Sequence, residues 1–320
     1  MPVRVINLRQ SASGGGVADQ VRTFPAPFAL ESSRLVILIH GYNDTLAQAR
    51  QAYASFLNPA ADLELIGALP RNAWMAYLEQ LKGNVLDSLS RVGEVCLFFW
   101  PGDPWGRTSS ALAYSEALQA ALTSAIRLKE FVLNLALKGV PGGPPLQVIL
   151  ICHSMGNRLG LETAYMLRGA PNLIRVSAIS MMAAAVPVLM VTPNIMAHDL
   201  TPAVQSIGKT QVLFSVNDGV LGNAFALGEL EAGEGSGLEA VGRFGNPYLA
   251  WSRWQTMYPY GHGDYWPGPR SRDAILTFLG EVVEAKLAAS AISPRSLPDA
   301  ATRTTNRLRQ NYLSSRTIGG

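Results

Sequence analysis

The chain has 320 residues, 48% of them hydrophobic and only 15% charged, with a mean hydropathy of +0.15 and a formal net charge of +3. That length and composition suit one large domain with much of the chain buried. The positive charge does not mark a nucleic-acid-binding face, because from Leu287 onward five arginines (Arg295, Arg303, Arg307, Arg309, Arg316) stand against Asp299 alone, leaving the rest of the chain near neutral.

The opening stretch MPVRVINLRQSASGGG lacks the apolar segment of a secretory signal. The longest apolar run, Val176 to Val191, is broken by Pro187 and falls short of the roughly 18 residues a membrane span needs. No membrane span is expected, and a cytoplasmic setting is. Cys96 and Cys152 both lie in hydrophobic runs, where free core cysteines are found, so neither a disulfide framework nor a metal centre is expected.

In chain order, residues 1–30 read as an N-terminal arm and residues 31–288 as the main domain. Within it, LVILI (35–39), VCLFF (95–99), LQVILI (146–151) and QVLFSV (211–216) are apolar without polar alternation, and LIRVSAIS (173–180) is a fifth candidate. Such runs suit strands of a parallel sheet covered on both faces. Between them the period changes. Leu118, Leu122, Ile126, Leu133 and Leu137 predict a helix over 108–138, capped by Thr108 or Ser109 and stopped by Gly139 and Pro141. Leu159, Thr163 and Met166 share one face of a second helix, and a last one is expected over 271–287. Alternating strands and helices predict a doubly wound α/β fold with a mostly parallel sheet. The glycine-rich, acidic segment 228–245 reads as a mobile surface loop. The basic tail 289–320 reads as flexible.

The stretch LQVILICHSMGNRLG runs from a strand straight into a helix, with Ser154 at the turn. Such a turn strains the central residue and lifts its side chain clear. Gly156 supplies the small residue that close packing needs, and Cys152 stands where glycine is commoner. Two roles are open to Ser154: a helix cap, or a nucleophile.

A nucleophilic serine needs a base and an acid that orients it. Of four histidines, His40 ends a strand, His153 adjoins Ser154 and is expected to turn away from it, and His198 comes early in the chain. His262, in the Gly/Pro-rich YPYGHGDYW just before the last helix, has the position a base requires in the order serine, acid, histidine. Asp218 follows the strand QVLFSV, at the end of a sheet strand where sites of this fold class gather. Asp264, two residues from His262, is the rival acid, and Asp199 is a third.

Taken together, LVILIHGYND, CLFFWPGD, VILICHSMGNRL, SVNDGVLG and GHGDYW resemble a bacterial α/β-hydrolase family of unknown function, with its H-G-Y-N, W-P and H-S-M-G-N-R motifs. The resemblance runs from about Leu35 to Tyr265. It implies an α/β-hydrolase fold with Ser154, Asp218 and His262 as a triad and no cofactor. The backbone N–H groups of Tyr42 and Met155 would form an oxyanion hole, with Gly41, Cys152 and Gly156 supporting the turns. Asn43 and Asp44 are expected to cap the next helix and tie the loop after His40 in place. A lid is expected over 186–205. The expected substrate is a small ester with an apolar group, held by Trp100, Trp105, Phe225, Trp251 and Trp266. A thioester, amide or lactone substrate, or a binding module without catalysis, are the alternative readings.

Overall fold

The structure, a computed structural model, describes residues 3–11, 15–26, 28–103, 111–139, 143–235, 238–245 and 251–292. Eight strands form one sheet: β1 (Arg4–Arg9), β2 (Val17–Phe24), β3 (Arg34–Ile39), β4 (Glu94–Phe99), β5 (Leu146–His153), β6 (Ile174–Met182), β7 (Lys209–Phe214) and β8 (Arg253–Thr256). Their spatial order is β2-β1-β4-β3-β5-β6-β7-β8, and every neighbouring pair is parallel except β1 with β2. The four apolar runs and LIRVSAIS all lie in the parallel centre of this sheet. They are buried because helices cover both faces, which is why they show no polar alternation.

One face carries α5 (Ala111–Lys138) and α6 (Gly156–Leu167), which pack on each other. The other carries α1 (Leu46–Leu57), α4 (Asn84–Val92) and α10 (Pro269–Ile292). Two short helices, α2 (Leu63–Ala68) and α3 (Arg71–Gln80), join α1 to α4, and a third, α7 (Thr201–Ser206), precedes β7. The last helix starts two residues before the expected Ser271 and extends past Leu287. The expected caps Thr108 and Ser109, the side chain of Trp105 and the tail beyond 292 lie outside the described residues. Among the described residues no helix is long and apolar enough to cross a membrane.

The structure corrects three expectations. The first thirty residues are not a detached arm. Val5, Ile6 and Leu8 are buried, and β1 pairs in register with β4 from Arg4–Cys96 to Asn7–Phe99. Its polar residues hid this from the sequence: Arg4 pairs with the buried Glu94, and Arg9 pairs with the buried Asp103, so both arginines are consistent with an interior strand.

Segment 228–245 is not one loop. It contains the end of α8 (Phe225–Glu231) and α9 (Val241–Phe244), between which residues 236–237 lie outside the described set. Gly242 N–H donates to the Ala184 carbonyl (2.9 Å) and the Gly242 carbonyl accepts from Ser215 N–H (3.0 Å), so the segment is sewn to the ends of β6 and β7. The third correction concerns helix capping. Thr45, not Asn43 or Asp44, caps α1, in a reciprocal capping box with Gln48.

Candidate active site

The site is built at the carboxyl ends of β3, β5 and β7. Ser154 follows β5 directly and has φ 53°, a left-handed conformation that costs a serine about 1–3 kcal/mol and persists only where the surroundings enforce it. They do so through the Ser154 carbonyl, which accepts from Asn157 N–H (3.0 Å), Asn157 Nδ2 (3.0 Å) and Ala185 N–H (3.2 Å). Asn157 Nδ2 also donates to the Met182 carbonyl (2.9 Å), locking the turn to β6. This buried asparagine was not singled out from the sequence, although the N of H-S-M-G-N-R marks it.

Two glycines make the turn possible. A Cβ on Gly156 would lie 2.4 Å from the His40 carbonyl oxygen, and one on Gly41 would lie 2.8 Å from the Ser154 Cβ. Cys152 is wholly buried and Gly160 leaves room for its sulfur. Burial pushes its thiol far above the ordinary range, so it stays protonated.

Ser154 Oγ does not cap α6, whose first turn has no side-chain cap. It lies 2.8 Å from His262 Nε2 instead, and His262 Nδ1 lies 2.8 Å from Asp218 Oδ2. Asp218 is fully buried and its other oxygen accepts from Leu221 N–H (3.0 Å), which fixes the carboxylate plane. Asp264 faces its own turn, accepting from Gly261 N–H (2.7 Å), and Asp199 accepts from Thr201 N–H (2.7 Å). Among the described residues, neither rival carboxylate is hydrogen-bonded to the imidazole.

The loop after β3 is held just as firmly. Asp44 Oδ2 accepts from Gly41 N–H (3.1 Å), and Asn43 N–H donates to the Gly102 carbonyl (2.7 Å). Burial alone would raise the Asp44 carboxyl, but the interactions with His40 and His153 and the Gly41 N–H leave it below its ordinary value. His40 accepts from Trp100 N–H at Nε2 (3.3 Å), which puts its proton on Nδ1, 3.0 Å from the Gly41 carbonyl. Arg9 reaches from β1 to the carbonyls of Asp44 (3.1 Å) and Trp100 (3.0 Å), so the strand missed in the sequence braces this loop. Among the described residues, neither Tyr42 N–H nor Met155 N–H donates a hydrogen bond within the protein.

The strand order and the helices on both faces of the sheet make a doubly wound, mostly parallel α/β fold. No protein-family model matches the sequence. A comparison with curated proteins likewise finds no match. Among solved structures, the chain is similar to a hyperthermophilic esterase from the archaeon Pyrobaculum calidifontis, at 12% identity over 81% of this chain and 77% of that one (TM-score 0.36). It is also similar to a carboxylesterase of Nitrososphaera gargenis, at 12% identity over 81% and 94% of the two chains (TM-score 0.37). A third is the RedJ thioesterase of Streptomyces coelicolor, at 14% identity over 81% and 92% (TM-score 0.34). Likenesses this distant carry no functional argument, and the site is read from its own residues.

Of the expected aromatic walls, the four described residues are packing residues. Trp100 stacks on the His40 ring (5.6 Å, 16°) and donates from Nε1 to the His40 carbonyl (2.9 Å). Trp266 meets Tyr53 and Phe56 edge-on (5.4 and 5.5 Å) in the core. Phe225 and Trp251 are buried as well. The segment 186–205 turns Val188, Met190 and Val191 inward and leaves Leu189 and Ile195 exposed. It is tied down by Val188 N–H to the Glu239 carbonyl (2.8 Å). Among the described residues no cluster of His, Cys, Asp and Glu could hold a metal ion.

Beside the Tyr42 loop lies a buried polar pair. The Tyr42 ring meets Tyr114 at 5.6 Å, and the Tyr114 hydroxyl donates to Glu229 of α8. Burial is the main cause that pushes Glu229 up to about 7, with Glu234 adding to it, against the opposing Tyr114 hydrogen bond and Arg158. A raised carboxyl binds its proton more tightly folded than unfolded, so stability falls as pH rises from about 4.5 to 7 and the loss is complete above 7. The full effect is on the order of 3 kcal/mol. Denaturant unfolding at pH 5 and pH 8 checks this: wild type loses stability between the two, and Glu229→Gln loses markedly less.

Proposed function

We propose that the protein is a serine hydrolase that cleaves a small carboxylic ester through an acyl-enzyme. The observation that carries this reading is the unbroken row Ser154 Oγ, His262 Nε2, His262 Nδ1 and Asp218 Oδ2, both gaps being 2.8 Å, with the serine held at positive φ.

In this mechanism His262 takes the Ser154 proton as Oγ attacks the carbonyl carbon. Asp218 keeps the other imidazole proton on Nδ1 and stabilises the imidazolium. The new oxyanion is received by Tyr42 N–H and Met155 N–H. The second of these opens α6, whose positive dipole end favours negative charge. His262 then returns its proton to the leaving alcohol, and a water activated by the same histidine releases the acid. An apolar substrate group fits the exposed Val216 and Val220, which flank Asp218, and the segment 186–205 would roof it, since Ala185 bonds Ser154 directly.

Labelling with a fluorophosphonate and reading intact mass tests this. One adduct is expected on wild type and none on His262→Ala, because a serine without its base is not nucleophilic. Esters, thioesters, amides and lactones sharing one acyl chain then decide the bond. A folded wild type that takes no adduct would replace this reading with that of a binding module.

A further inference from the structure

His153 is buried and takes no part in the proton path above. Its Nε2 lies 2.8 Å from the backbone carbonyl oxygen of His262, and the two imidazole rings meet at 5.0 Å, tilted by 51°. A carbonyl only accepts, so the His153 proton sits on Nε2 and Nδ1 is left with a bare lone pair. That Nδ1 is buried and has no partner among the described residues. An unpaired buried nitrogen is costly, and an apolar ring would fill the same space without it. The gain that offsets the cost is at Nε2.

We propose that His153 is a positioning residue that fixes the distance between Ser154 and His262 by clamping the backbone of the histidine. The proposal rests on the serine hydrolase reading. Ser154 and His153 are consecutive at the end of β5, one of the most buried strands of the sheet. His262 sits on a three-residue 3-10 turn between β8 and α10, held on its other side by Ser215 Oγ donating to the Tyr260 carbonyl (2.6 Å). One dipeptide thus carries the nucleophile and grips the base, so motion of the loop is referred to the same rigid strand end. An ångström of misplacement costs about 100-fold in rate, so such a grip matters. The neighbour also has to be uncharged when His262 becomes an imidazolium. Burial, and then the nearby His262, push His153 down to about 4, so it is neutral wherever the enzyme would work.

Three variants of the full-length protein separate positioning from packing. His153→Phe keeps a ring but loses the donor, and His153→Asn keeps polarity but is too short to reach the carbonyl. In His153→Gln, Nε2 reaches as far as the imidazole Nε2 and can donate. Fluorophosphonate labelling is expected to slow about 10- to 100-fold in the first two and to recover in the glutamine variant. The low-field proton resonance of the His262–Asp218 hydrogen bond should be lost or broadened in Phe and Asn and restored in Gln. Glutamine as impaired as the other two, or all three like wild type, would overturn the proposal. If Phe does not fold, Asn against Gln gives the same contrast. Should wild type take no adduct while the resonance follows the expected pattern, the hydrolase reading fails and the clamp stands. Adduct formation with a resonance indifferent to residue 153 would sink the clamp alone.

Discussion

Ser154→Ala is expected to abolish the fluorophosphonate adduct and to lower ester turnover by about 10⁴-fold or more, with the fold intact. The oxygen removed is the one 2.8 Å from His262 Nε2, and nothing else in the site can take its place. Cys152 is buried and protonated, and its side chain packs toward Gly160 of α6. The carbonyl bonds that hold the turn belong to the backbone and survive the substitution. Stability should therefore change by only about 1 kcal/mol, the typical worth of one hydrogen bond. Residual turnover near wild type would remove Ser154 from the mechanism and point to a different nucleophile or to direct attack by water.

Asp218→Asn should be nearly as damaging, about 10⁴-fold in kcat, for a different reason. The amide fits the same space, and its oxygen can still accept from Leu221 N–H, where Oδ1 now does. Its NH₂ then faces His262 Nδ1, where Oδ2 sits at 2.8 Å. Two donors cannot share that gap, so the imidazole moves its proton to Nε2 and can no longer accept one from Ser154. Asp264→Asn is the control. An asparagine oxygen still accepts from Gly261 N–H, so little activity should be lost. The reverse ranking of these two variants in steady-state kinetics would make Asp264 the acid and disprove the present assignment.

What the sequence by itself determined were the features that depend on neighbours along the chain. Continuous apolar runs marked the central strands, because a parallel sheet buried on both faces asks for nothing else. The strand–Ser–x–Gly–helix turn was legible because a tight turn needs small residues at fixed offsets, and Gly156 meets the His40 carbonyl where any side chain would collide. Chain order pointed to His262 as the candidate base, and a place just after a sheet strand pointed to Asp218 as the candidate acid ahead of Asp264 and Asp199.

What only the tertiary structure decided were contacts between segments far apart. Strand β1 was missed since Arg4 and Arg9 read as surface residues until their buried partners, Glu94 and Asp103, about ninety residues away, come into view. Segment 228–245 looked like a loop, as glycine signals mobility and close packing alike, and only the bonds to Ala184 and Ser215 separate the two. The tryptophans read as pocket walls, although aromatic residues beside a cleft are more often packing. Whether Ser154 caps a helix or meets an imidazole is likewise absent from local sequence. That depends on a histidine 108 residues further on, brought to 2.8 Å by the packing of β8 and α10 against the sheet.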